Sequence, residues 1–267
     1  MIDEFLFLFL AGALAGFLSG LLGIGGGVIV VPALVWIFIA FSSVPHLAIM
    51  HVAAGTSLSA MIITSLAASW SHHQRGNVDW LTWRKLLPST IIGVVFGVLL
   101  ASTLNTRTLS IIFGCVLILI ALQIFFFSKQ KENELIEHPN WIIFNLAGLL
   151  VGAFSGLLGI GGGALLIPFL LHYNFPMNKT AGTSAACIIP LSILGTVMFM
   201  ITGHLHEATP IPYSTGFIYW PAFIGVAMGS VLLVHFGTWA GTKVNKQLLK
   251  RIFSCLLILI ALQLIFN

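Results

Sequence analysis

Ten apolar stretches joined by short polar connections make up nearly all of this 267-residue chain, and they leave it few ways to fold. They run over about 5–22, 25–41, 52–71, 86–104 and 108–127, then 141–158, 161–173, 181–202, 215–235 and 248–266. Only 7% of the residues are charged, against about 25% in a soluble domain, and 58% are hydrophobic. So few charges cannot cover a water-facing surface of this size, so the surrounding solvent is lipid. In lipid each stretch must satisfy its own backbone hydrogen bonds, and none alternates as a barrel strand does. The expectation is an all-α polytopic membrane protein. The segments after each glycine run are short for a bilayer and can re-enter instead of spanning.

The stretches repeat. Residues 19–32 read SGLLGIGGGVIVVP and residues 155–168 read SGLLGIGGGALLIP. Ala54-Gly55-Thr56-Ser57 returns as Ala181-Gly182-Thr183-Ser184, and CVLILIALQ from Cys115 returns as CLLILIALQ from Cys255. Three matching blocks in one order divide the chain into a first transmembrane repeat, 1–128, a polar linker, 129–140, and a second repeat, 141–267. The acidic start (Asp3, Glu4) and the recurrence of residues 11–22 read as structure and not as a cleaved signal.

Charge decides how the repeats are oriented. With an odd number of crossings per repeat the halves are inverted. Arg75, Arg84, Lys85, Lys129, Lys131, Lys179, Lys243, Lys246, Lys250 and Arg251 then share one side, opposed only by Arg107. With four crossings per half the same cations split almost evenly. The excess of cations on cytoplasmic loops favours the inverted arrangement, with both termini outside and the linker cytoplasmic.

Each glycine string weakens a helix by roughly 1 kcal/mol per glycine relative to alanine. A break there exposes backbone N–H groups and the positive end of the following helix. Two such breaks related by inversion are a place for a small anion to bind without a buried Lys or Arg. The candidate substrate residues are Gly25, Gly26 and Gly27, with Gly161, Gly162 and Gly163. Beside them stand Ser19 and Ser155, which precede the strings, and the hydroxyl pairs Thr56 with Ser57 and Thr183 with Ser184. A competing reading makes the glycines close-packing surfaces and the hydroxyls caps or interhelical bonds. His51 is a candidate for pH sensitivity, with a packed structural histidine as its alternative. No histidine or cysteine spacing suits a metal, and no cofactor, catalytic group or nucleic-acid surface is expected. No Asp or Glu falls well inside an apolar segment, so donors for an anion are present while a carboxylate relay is not. The three cysteines read as buried small apolar groups.

With these motifs in place, the chain resembles the sulfite exporter TauE/SafE family of membrane permeases over essentially its whole length. The resemblance rests on the two G-x-G-G-G strings, their downstream Pro32 and Pro168, and the two AGTS blocks. It implies a plasma-membrane permease that moves sulfite, organosulfonates or related small anions by alternating access, and it points to the same glycines and hydroxyls as the substrate path. A passive anion channel is the alternative, followed by an intramembrane enzyme. Pro168 and Thr183 lie 15 positions apart, against 24 for Pro32 and Thr56, so symmetry about the site is expected to be imperfect.

Overall fold

The structure is a computed structural model that describes residues 2–22, 26–126, 140–205, 211–241 and 246–266. Gly25 and most of the linker lie outside the described residues. Ten α-helices follow in order: α1 (Ile2–Leu22), α2 (Gly27–Phe41), α3 (Ile49–Gln74), α4 (Trp80–Thr103), α5 (Thr106–Phe126), α6 (Trp141–Leu158), α7 (Gly163–His172), α8 (Met177–Leu205), α9 (Trp220–Gly241) and α10 (Lys246–Phe266). A 3-10 turn, His46–Ala48, leads into α3, and a two-residue hairpin, Ser214–Thr215 with Ile218–Tyr219, precedes α9. Among the described residues, six helices carry spans long and apolar enough to cross a bilayer. Their outer faces expose Leu14, Ile92, Phe96, Leu99 and Leu150, residues that only a lipid solvent would leave outside. The exposed Trp80 and Trp141 stand at helix starts, where an aromatic ring meets the headgroup level.

The short helices turn back instead of continuing. At 1.5 Å per residue, α2 with 15 residues and α7 with 10 fall short of a hydrocarbon core of about 30 Å. Phe7 of α1 packs against Phe41 of α2 with its ring tilted, and Gly26 lies beside Ala15, so α1 and α2 form an antiparallel hairpin. Phe144 against Phe169, and Val151 against Gly162, define the matching hairpin of α6 and α7.

Equivalent helices pair across the molecule. Gly55 and Leu58 of α3 meet Phe199 and Gly195 of α8, while His72 meets Gly182, so these two counterparts run antiparallel. A two-fold relation between antiparallel counterparts turns one half over with respect to the other, which makes the repeats inverted. The counterparts α5 and α10 also pair, through Gly114 against Ala261 and Ile265, while two further long pairs are exchanged. Helix α1 lies alongside α9 and α6 alongside α4, both with rising register: Gly12 on Val226 and Gly16 on Ser230, then Gly93 on Leu149 and Gly97 on Ala153. At these positions one backbone touches the next, because lipid gives apolar side chains little reason to associate and close contact supplies the attraction. The buried core follows these pairs, with Leu34, Phe38, Phe113 and Phe199 among its fully enclosed side chains. Cys187 is buried, but Cys115 and Cys255 are exposed, contrary to the expectation for all three. They lie on the outer sides of α5 and α10, where lipid tolerates a thiol as readily as a core does.

Gly152 illustrates the packing. A Cβ there would collide with the Thr90 carbonyl. Gly152→Val should lower the stability of the detergent-solubilised protein by about 1–3 kcal/mol. Leu150→Val, on the lipid face of the same helix, should change it little; thermal loss of the monodisperse size-exclusion peak compares the two.

Candidate functional site

The two glycine strings meet near the centre of the bundle. A Cβ on Gly27 would lie 2.7 Å from the Ile160 carbonyl oxygen and 2.8 Å from that of Gly159, so the tips of the two hairpins touch backbone to backbone. Gly159 ends α6 in the left-handed region, and Gly161 and Gly162 continue there with φ of +78° and +74°. Only glycine holds such a run without strain. Ser57 of α3 donates to the Gly159 carbonyl at 2.9 Å and so satisfies, from the other half, an acceptor freed by the break.

The AGTS blocks bind the halves together. Thr56, fully buried, accepts from the Tyr219 backbone N–H at 3.0 Å, while Thr183 accepts from the Asp79 N–H at 2.9 Å. Tyr219 and Asp79 each precede the tryptophan that starts a helix, so these are equivalent contacts made once in each direction. The neighbouring glycines allow them: Gly55 lies against the Phe217 carbonyl and Gly182 against that of Asn77. Neither threonine lines the cavity described next.

That cavity, of about 140 Å³, lies between α1, α3, α8 and α9. It has room for a few waters or one small solute. Ser19, Gly26, Ser57 and Met61 line its inner end, and His72, Arg75 and Ala181 lie towards its mouth. Gly26 is the first residue ahead of α2 and carries no side-chain cap, so the first N–H groups of α2 start at the cavity wall. No Asp or Glu is among the lining residues. The mouth lies on the face where the α3–α4 and α7–α8 connections meet, joined by Asn178 donating to Asn77 at 3.2 Å.

Three sequence candidates, Ser19, Gly26 and Ser57, therefore come together on one cavity. Their counterparts Ser155, Gly162 and Ser184, with Gly161 and Gly163, are buried and do not line it. Gly27 is at the tip contact. His51 lies away from the cavity and towards the opposite face. Its Nε2 reaches the Ala101 and Leu104 carbonyls at 3.0 and 3.1 Å, and its ring stacks on Phe217 at 5.0 Å. These contacts tie the start of α3 to the end of α4.

Sequence reasoning missed Arg75, His72, Met61, Thr64, Ser65 and Ser71 as lining residues. The signal was present: from Ser57 to Arg75 the small and polar residues of α3 recur at helical spacing and make one stripe. It passed unnoticed because no repeat marks it. Glu4 is also enclosed, accepting from the Tyr219 hydroxyl at 3.4 Å.

A bundle of apolar helices with a cavity that carries a few hydroxyls on a mostly apolar wall is the build of a multi-pass membrane transporter. The chain belongs to the sulfite exporter TauE/SafE family, whose model matches residues 8–264. A probable membrane transporter protein of Haemophilus influenzae is 34% identical over 95% of both chains. A probable membrane transporter protein of Methanocaldococcus jannaschii is 27% identical over 90% of this chain and 86% of its own, and YunE of Bacillus subtilis is 27% identical over 99% and 98%. No solved structure matches.

The threonine clasps make a separate prediction. Thr56→Val leaves the buried Tyr219 N–H without its acceptor and should cost about 1–3 kcal/mol. Thermal unfolding in detergent should show that loss, and an unchanged transition would remove the clasp from the account.

Proposed function

We propose that this protein is a plasma-membrane carrier for small sulfur-containing oxyanions, such as sulfite or organosulfonates, working by alternating access. The observation that carries this reading is the composition of the cavity. Hydroxyls (Ser19, Ser57) and the start of α2 lie at its depth, a guanidinium (Arg75) near its mouth, and no carboxylate is among the described residues that line it. The Ser19 hydroxyl and the first backbone N–H groups of α2 can donate to an oxyanion without the desolvation cost of a buried cation, while the Ser57 proton is held by the Gly159 carbonyl. A cation near the mouth raises the local anion concentration. The small volume suits a solute the size of sulfite better than a larger metabolite.

In this reading the cation-bearing face is cytoplasmic, the termini are outside, and 129–140 is a cytoplasmic linker between moving repeats 1–128 and 141–267. The cavity then faces inward. Gly27, Thr56 and Thr183 shape the hinge and the clasp around the substrate, and Ser19, Gly26 and Ser57 touch it. No enzymatic step is assigned. A passive channel would need a continuous path, whereas beyond the cavity Leu58 fills the space in front of Gly195, and Phe199 is fully buried.

Reconstituted protein should show saturable uptake of radiolabelled sulfite, accelerated by unlabelled sulfite on the far side. Linear flux without counterflow would favour a channel, and no flux for any sulfur oxyanion would end the substrate reading. Arg75→Gln should raise the half-saturating concentration on the cytoplasmic side about threefold to tenfold at low salt. Arg75 is exposed, so the difference should shrink as ionic strength rises. An effect independent of salt would place Arg75 outside the approach path.

A further inference from the structure

The two strings SGLLGIGGG are identical, yet one equivalent pair of their glycines takes different backbone conformations. Gly26 has φ of −72°, and its counterpart Gly162 has φ of +74°. The difference coincides with a difference in access. Beside Gly26 lies the open cavity, and a Cβ there would meet nothing closer than 3.9 Å. Beside Gly162 the equivalent space is shut, and a Cβ would come within 2.9 Å of Val151.

The shut side keeps the polar groups of a site. Ser155 and Ser184, the counterparts of the cavity residues Ser19 and Ser57, are 0% and 1% exposed, and neither hydroxyl has a hydrogen-bond partner. Buried hydroxyls almost always find one, because burying them unpaired is unfavourable. Two unpaired hydroxyls at the positions that line the cavity in the other half need a reason, and apolar packing alone provides none. Cys187, in the position of cavity-lining Ala60, is buried with them.

We propose that Ser155, Ser184 and the start of α7 form a second oxyanion half-site, closed in this conformation and opening to the opposite face of the membrane. It takes its hydrogen-bond partners from the substrate or water when it opens. The exchange that opens it swaps the backbone states of the strings, with Gly26 moving to positive φ and Gly162 to negative. Glycine is the residue that populates both regions at comparable cost, so identical strings can trade conformations. This inference rests on the carrier reading above and names the residues that the outward-facing state uses.

The test uses full-length protein in right-side-out vesicles with Cys115 and Cys255 replaced by alanine, leaving Cys187 as the sole thiol. A second protein carries Ala60→Cys with all three native cysteines replaced. A membrane-impermeant maleimide is applied from either side. Cys187 should react from outside and Ala60→Cys from the cytoplasm.

Gly162→Ala penalises the present conformation, because alanine is disfavoured at positive φ. It should speed Cys187 labelling and slow that of Ala60→Cys. Gly26→Ala should do the reverse, and each population shift should be roughly 5- to 30-fold. Ser155→Ala removes an unpaired hydroxyl from the closed side without any backbone strain and should slow Cys187 labelling. It serves where a glycine variant fails to fold. Labelling of Cys187 from the cytoplasm only, no labelling in a folded protein, or glycine variants that move both thiols in the same direction would overturn the inference. Sulfite counterflow measured on the same vesicles separates the two readings. Counterflow with an unreactive Cys187 defeats this inference alone, and opposed labelling shifts without sulfite flux defeat the substrate reading alone.

Discussion

The contact between the two hairpin tips, where Gly27 meets the carbonyls of Gly159 and Ile160, is the constraint around which the rest of the bundle is arranged. A helix interrupted inside a membrane leaves peptide groups that lipid cannot satisfy. Such a break survives only where protein, water or ligand completes it. Here the other repeat does so, through Ser57 on the Gly159 carbonyl and through close apposition of the strings. The second break is stable because it faces the other repeat, at Ser57 and Gly27.

The same reciprocity extends outward. The threonine of each AGTS block holds the loop ahead of a helix in the opposite half, and the glycine before it makes room for that loop. Exchange of helices follows, with α1 against α9 and α6 against α4. A half separated from its partner would lose these contacts together, so the repeats act as one folded unit even if they move as two bodies. The halves differ at the centre, where Ser19, Gly26 and Ser57 of the first line a cavity and their counterparts in the second are packed away from it.

Much of this was legible in the residues. All ten apolar stretches correspond to helices, and the helix bounds differ from the sequence expectation by only a few residues at most ends, with α4 starting six residues early at Trp80. The inverted arrangement followed from charge, because ten cations fall on one side in that topology and split evenly in the other. The two proline-to-threonine spacings also have a visible cause. The first half uses its extra residues for a longer α2 and the 3-10 turn at His46–Ala48. The site was less legible. Sequence repetition marked residues that hold the halves together, such as Thr56 and Thr183, as strongly as those that line the cavity. A repeated motif records what both halves need for folding, and its two copies need not do the same thing in any one conformation.

Sequence alone determined that this chain lives in lipid, is helical throughout and consists of two inverted copies, because hydropathy, charge and repetition are properties of residues and their order. Only the tertiary structure decided that Ser19 and Ser57 border a cavity while Ser155 and Ser184 are sealed, and that Gly26 and Gly162 take opposite backbone states. Identical residues cannot encode that difference locally. It comes from which way the whole bundle has closed, a choice made by packing between halves and not by either string.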